Sequence, residues 1–313
     1  MMLLCSGCAD TATDKAISQS VALIDPQRLR GHVENLAALG PRSSEYPAAL
    51  QHTLAYIRMK LDDYRVDVRE EALAATAESS MVNLIVVFPG DHADKTVLEF
   101  GAHYDTVATT PGADDNASGV AALLEIARVL SDLPNRRTIR LCFFAEEENG
   151  REGSIQHVRN LTLRNEKLAG AVILEMVGYT NSTPGSQGSP VRIPLLFWPP
   201  DTGDFVAVVG NFTSGSLGNR FESAAARYVP ELPLFSANRL GGLFEDALRG
   251  DHKPYWDQNY KAIMLTDTAD FRNPHYHRPT DTPDTLDYEF LTAITRAALA
   301  TAITWSGLAG DTE

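Results

Sequence analysis

The sequence predicts an α/β protein of three layers, a mainly parallel mixed sheet with helices on both faces. From residue 25 onward, short apolar runs alternate with segments of helical periodicity. The runs are apolar throughout, as strands covered on both faces are. Histidines and acids collect where those runs end, the edge at which open α/β sheets bind ligands. A chain of 313 residues suits one large domain with a core that buries most of its apolar surface.

Through residue 24 the chain is polar and reads as a leader or tether, ahead of a single domain over 25–313. Its start, MMLLCSGCAD, resembles the tail of a bacterial lipoprotein signal, with Ser6-Gly7 before Cys8 as the lipid-anchor position. It departs from that pattern in having Cys5 where leucine is usual and no basic start. The expectation is export, periplasmic or lipid-anchored, with a cytoplasmic protein as the alternative. Nothing further along is long and apolar enough to span a membrane.

DPQRLRGHVENLAALGPRS then reads as a helix, with Leu29, Val33, Leu36 and Leu39 near helical spacing and Gly40-Pro41 as its stop. PAALQHTLAYIRMKLDDY repeats the signal, opening on Pro47 and carrying Leu50, Leu54, Ile57 and Leu61. Two strands follow, MVNLIVVF and TVLEFGAH, joined by the turn-rich PGDHADK. SGVAALLEIARVLSDL is helical, and RTIRLCFF is a strand in which Cys142 packs as a small hydrophobe. A helix around 153–165 and the strand AGAVILEMVG come next. Residues 180–248 break the rhythm and read as an elaborated loop region that includes the strand DFVAVVGN. The helix DYEFLTAITRAALATAITW, capped by Asp287, closes the chain.

Composition narrows the function. A net charge of −14 disfavours a nucleic-acid or anionic-membrane surface. Cys5, Cys8 and Cys142 are the only cysteines, so neither a disulfide framework nor a thiolate zinc site is available. Histidine and carboxylate ligands remain.

Five motifs supply them. In GAHYDT, His103 and Asp105 stand two apart at a strand end, on one face if the strand continues. PGADDNASG sets Asp114 and Asp115 before a helix; capping explains one aspartate, whereas two adjacent ones repel unless a cation relieves them. FFAEEENG ends a buried strand with Glu146, Glu147 and Glu148, costly without a counter-charge. VILEMVGY places Glu175 at another strand end. GDHKPYWDQNY and NPHYHRPTDTPDTLD hold His252, His275 and His277, three of the eight histidines. Each motif alone reads equally well as a solvated strand end or turn. Together, His with Asp and Glu but no Cys suits a catalytic zinc site with a position open for water.

From about Leu39 to Leu286 the ordered set resembles the M28 co-catalytic di-zinc peptidases, which include bacterial aminopeptidases; glutaminyl cyclases share their zinc-peptidase fold. The resemblance implies a zinc-dependent exopeptidase, most specifically an aminopeptidase, with two Zn2+ and a peptide substrate. By position, HYD makes His103 a ligand of one zinc and Asp105 its supporting partner. GADDNASG makes Asp115 the bridging carboxylate. FFAEEENGREGS matches without a gap when Glu147 is the general base and Glu148 a ligand, whereas reading Glu146 and Glu147 needs an insertion before Gly153-Ser154. Glu175 stands where many members have aspartate. His277, immediately before the xPxDT element, is the last ligand. Asp251-His252 fits an SDHxPF segment lining the site, with Gly250 in place of serine.

In that mechanism Glu147 accepts a proton from the attacking water and returns it to the leaving amine. Glu146, Asp251, His252 and Tyr255 are the expected substrate contacts. Phe197, Trp198, Tyr255 and Trp256 are candidates for an apolar pocket or, equally, for core. The alternatives are a single-zinc glutaminyl cyclase, a non-catalytic scaffold, and a carboxypeptidase or deacylase of another zinc-hydrolase family.

Overall fold

The computed structural model describes residues 6–73, 81–189, 192–193 and 197–308. The helices are α1 (Ser6–Val21), α2 (Pro26–Ala37), α3 (Pro47–Asp63), α4 (Gly119–Leu130), α5 (Glu152–Leu163), α6 (Gly215–Tyr228), α7 (Lys253–Asp257) and α8 (Tyr288–Ser306). The strands are β1 (Val68–Ala72), β2 (Val82–Phe88), β3 (Val97–His103), β4 (Thr138–Phe144), β5 (Leu168–Leu174), β6 (Val206–Gly210), β7 (Leu234–Ala237) and β8 (Ala262–Thr266).

The strands form one eight-stranded sheet in the order β1-β2-β4-β3-β5-β8-β6-β7. Its centre, β4-β3-β5-β8, is parallel. Antiparallel pairing of β1 with β2, β2 with β4 and β6 with β8 makes the whole sheet mixed, as expected. Period-two alternation splits each central strand between two cores. Leu141 and Phe143 of β4 and Val172 and Leu174 of β5 face the larger core with α2, α4, α6 and α8. Cys142, Phe144, Ala171 and Ile173 face a smaller one completed by Val158 and Leu161 of α5 and Tyr255 of α7. Both faces are therefore covered, which is why these strands show no polar alternation.

Two expectations need correction. The segment assigned to a leader is helical from Ser6, and its Ile17, Val21 and Ile24 join the main core, where α1 packs on α6 and α8. That stripe is only three residues wide in a polar context, too sparse to stand out in the sequence. Residues 1–5 and the side chain of Cys8 lie outside the described residues. Residues 180–248 are also more regular than a loop region, since β6, α6 and β7 extend the sheet and cover it. Asp287 does cap α8, accepting from the backbone N–H of Glu289 and Phe290. Among the described residues, no helix is long and apolar enough to cross a membrane.

Candidate metal centre and substrate pocket

The carboxyl ends of β3, β4, β5 and β8 lie side by side, and the candidate residues follow them directly. His103 ends β3 and Glu175 follows β5, while Glu147 and Glu148 sit in the turn after β4. Asp115 lies in the turn that enters α4, and its peptide bond to Asn116 is cis. Asn116 ties that turn to β5: its Nδ2 donates to Leu174 O at 2.9 Å and its Oδ1 accepts from Met176 N at 3.2 Å. Gly112 opens the turn at φ 61, where a Cβ would stand 2.3 Å from Asp115 O. Any side chain there would be strained and would collide with the backbone. Gly153 is equally constrained, its absent Cβ lying 2.2 Å from Ala145 O, so α5 can start hard against the acidic turn.

Two groups of ligand atoms result, one formed by His103, Asp115 and Glu175, the other by Asp115, Glu148 and His277. Within each group the atoms lie within 4.8 Å of one another, and Asp115 belongs to both. His103 Nε2 is 3.1 Å from Glu175 Oε1 and 3.4 Å from Asp115 Oδ1. His277 Nε2 is 3.2 Å from Asp115 Oδ2 and 3.3 Å from Glu148 Oε2. Glu175, where the resemblance leads one to expect aspartate, brings its carboxylate to the His103 ring. On the far side of the His103 ring, Nδ1 meets Asp105 O at 3.2 Å, which fixes the tautomer leaving Nε2 as the inward atom.

The donors suit a divalent ion. Glu148 Oε1 and Glu175 Oε2 are buried with no hydrogen-bond partner, a costly state for carboxylate oxygens unless a cation is close. Imidazole and carboxylate without thiolate is the donor set of catalytic zinc. Charge crowding shifts the titrations. Burial lowers the affinity of His103 for a proton, but the charge of Glu175 and contacts with Asp105 and Asp115 outweigh it and hold the ring well above its usual range. Burial also opposes protonation of His277, which Asp115 and Glu148 nevertheless raise to about 10. Burial and the charge of Asp115 push Glu148 up to about 7. Asp115 goes the other way, its burial outweighed by the two histidines, which hold it below the carboxylate range. Glu147 belongs to neither ligand group, and burial raises its carboxyl well above the usual range.

A cavity of about 160 Å³ opens onto Asp115, Glu147, Glu148, Glu175 and His277. Its walls include Phe197, Phe205, Phe235, Phe244, Met264 and Phe271. Of the aromatic residues singled out in the sequence, only Phe197 lines it. Trp198 is exposed, and Trp256 packs edge-on against His252 with its Nε1 donating to Ala262 O.

The four expected substrate contacts all lie off this wall. Tyr255 is buried in the smaller core and donates its hydroxyl to Glu99, because α7 packs its aromatic face inward. His252 is buried with Nε2 against Ala247 O, and burial lowers it to about 4, so it is neutral. Asp251 is fully buried, accepting from Ser154 Oγ at 2.5 Å. Glu146, at φ 55, turns its carboxylate to Asn149. His275 Nδ1 lies 2.9 Å from Thr280 Oγ1, and His275 belongs to neither of the two ligand groups.

Several residues that the sequence did not announce position the centre. Arg42 is 1% exposed, and its guanidinium donates only to backbone carbonyls: Tyr104 O at 2.9 Å, Pro111 O at 2.5 Å, Gly112 O at 2.8 Å and Leu36 O at 3.4 Å. It staples the β3–α4 loop, which carries Asp105 and Asp115. Asn83 of β2 braces the acidic turn, accepting from Ala145 N at 3.1 Å and donating to Gly153 O at 2.9 Å. Asn273 donates to Asp114 Oδ2 at 2.7 Å. A lone Arg or Asn gives no periodicity or spacing signal, and these roles appear only when distant segments meet.

A three-layer α/β fold with paired His–carboxylate groups at its carboxyl edge, sharing one aspartate beside an uncommitted glutamate, defines a metal-dependent hydrolase. Residues 83–302 match the profile of peptidase family M28, and the chain belongs to that family of peptide hydrolases; similar proteins include a probable zinc metalloprotease of Leptosphaeria maculans, 27% identical over 251 residues, 72% of this chain and 56% of that protein. It is 35% identical over 279 residues to the uncharacterized protein YfbL of Escherichia coli, covering 84% of this chain and 83% of that protein. Aminopeptidase YwaD of Bacillus subtilis is 29% identical over 176 residues, 54% of this chain but only 36% of that longer protein. The LapA aminopeptidase of Legionella pneumophila shares the fold with a TM-score of 0.75 at 21% identity, over 93% of this chain and 75% of that one.

Proposed function

We propose that this chain is an aminopeptidase that binds two zinc ions and removes single apolar residues from the N-terminus of peptides. The observation that carries the reading is the pair of ligand groups sharing Asp115 beside a cavity walled mainly by apolar side chains. His103, Asp115 and Glu175 would hold one ion; Asp115, Glu148 and His277 would hold the other. Bound zinc supplies acidity to a coordinated water and polarises a scissile carbonyl. Glu147 stands in the cavity wall without a ligand role, placed to take a proton from water and return it to the departing amine. The aromatic walls exclude solvent and hold the side chain of the terminal residue. A dry cavity of about 150 Å³ accepts benzene, so about 160 Å³ suits a Leu- or Phe-sized side chain. The name of the Bacillus subtilis relative agrees with this reading.

The test is zinc stoichiometry by mass spectrometry beside hydrolysis of leucine p-nitroanilide and its N-acetylated form. Two zincs, with chelator-sensitive cleavage of the free amine only, are expected. Cleavage that survives chelation removes the metal role, and equal cleavage of the acetylated compound removes the aminopeptidase assignment. Export through a lipidated Cys8 belongs to the proposal too, supported by the terminal sequence pattern alone. Fatty-acid labelling that persists in a Cys8→Ser variant would rule out that anchor.

A further inference from the structure

We propose that Asp281 is a positioning residue for the metal centre, a bracket that sets Asp115 opposite His277. Its carboxylate spans two consecutive backbone N–H groups, Oδ1 accepting from Asp114 N at 2.9 Å and Oδ2 from Asp115 N at 3.2 Å. Its own carbonyl accepts from Ala113 N at 3.3 Å. Three successive amides of the turn bearing Asp115 therefore point at one fully buried residue. With its amides so committed, the turn directs the Asp115 carboxylate outward to both histidines and the Asp114 carboxylate to Gly178 N and Asn273.

The same device occurs a second time. Asp105 accepts from Glu147 N and Glu148 N, each at 3.1 Å, through its two oxygens. In each case a histidine and an aspartate lie a few residues apart in sequence, and that aspartate clamps the turn supplying a carboxylate to the same centre. His103 travels with Asp105, and His277 with Asp281. A further strap, Thr109 Oγ1 to His277 O at 3.1 Å, joins the two loops that Asp281 brackets. A carboxylate bridging paired amides makes charge-assisted bonds and fixes an orientation as well as a position. Asp281 supplies no ligand atom to either group; its contact is with the backbone of Asp115, so it acts by placing Asp115 opposite His277.

This inference rests on the metal reading above, and the experiment separates the two. Zinc affinity of the full chain is measured by competition with a fluorescent chelator for wild type, Asp281→Asn and Asp281→Glu, with melting of the chelated proteins as a fold control. The first variant removes one acceptor, and the second keeps the charge but displaces it by a methylene. Loss of supporting partners of metal ligands typically costs 10–100-fold in metal affinity. The weaker zinc should therefore dissociate at least tenfold more readily from both variants. Excess zinc should recover kcat, and KM for leucine p-nitroanilide should stay within about twofold because the cavity walls are untouched. Asp284→Asn, at an exposed acid nearby, should bind zinc as wild type does. Folded Asp281 variants with wild-type zinc affinity would overturn the bracket while leaving the metal centre standing. A wild-type chain that binds no zinc would overturn both.

Discussion

Replacing Arg42 by Met isolates the cost of the staple under the β3–α4 loop. Two effects oppose each other. Burial lowers the Arg42 guanidinium from 12.5 to about 10, despite favourable charges on Asp281 and Asp105. A drop of that size corresponds to about 3 kcal/mol of penalty for holding the cation there, which Met would relieve. Against this, three close bonds to Tyr104 O, Pro111 O and Gly112 O disappear. Bonds to a charged group contribute about 1.5–3 kcal/mol each, and the carbonyls left behind have no solvent to turn to. Lost bonds outweigh relieved burial, and the net destabilisation is about 3 kcal/mol. For a domain of ordinary stability that is a large fraction of the total. Urea unfolding of the chelated protein, followed by tryptophan fluorescence, measures it. Arg42→Lys keeps the charge but cannot fork to three carbonyls, and should fall between the two. An Arg42→Met midpoint implying a loss under 1 kcal/mol would refute the reasoning, because the loop would then hold its curl without the staple.

Glu147→Gln should keep its zinc content and lose about 10²–10⁴-fold in kcat, the usual weight of a general base; loss of zinc instead would make Glu147 a ligand. Ala237→Phe fills the cavity beside Phe235 and should lower the Leu-to-Ala ratio of kcat/KM at least tenfold, with an unchanged ratio refuting the cavity as the specificity pocket. Acid should weaken the network behind the sheet, where burial would raise Glu71 and Glu99 but the adjacent His157 holds both at about 2, against 4.5 for an ordinary glutamate. Their stability is present above about 4.5 and is lost as pH falls toward 2, while the raised His157 contributes fully below 6.5. Urea midpoints should therefore decline from pH 4.5 downward, more steeply in wild type than in His157→Gln. Midpoints that rise over that range would contradict the sign.

The sequence made the parallel centre of the fold legible because strands covered on both faces stay apolar without a break, as in RTIRLCFF and AGAVILEMVG. It hid β7 because LFSA is four residues long and half exposed. It hid β8 because AIMLT is only five residues long, although fully buried. It also hid α1, where only Ile17 and Val21, with Ile24 just beyond its end, join the core. In the site, His103, Glu148 and Glu175 were legible because each stands at or just past a strand end with charge that burial would otherwise penalise, whereas Asp115 and His277 lie in longer connections and are marked by the paired aspartates and by the histidine cluster. Their supports were not. Arg42, Asn83 and Asp281 act through backbone atoms from 62 or more residues away, and such contacts leave no trace in local spacing. Tyr255 and His252 misled because an aromatic or histidine beside a recognisable motif looks the same in sequence whether it faces substrate or core.

The phenylalanine walls and the ligands occupy different parts of the sheet. His103, Glu148 and Glu175 follow the parallel strands β3, β4 and β5, whereas Phe205, Val209, Phe235 and Ala237 lie on or beside β6 and β7 at one margin. Natural variation can therefore rework the margin while leaving the two ligand groups in place. Diet and chemistry become separately heritable. A segment exchanged from residue 197 to 244 between distant cousins should carry a new residue preference into an unaltered reaction.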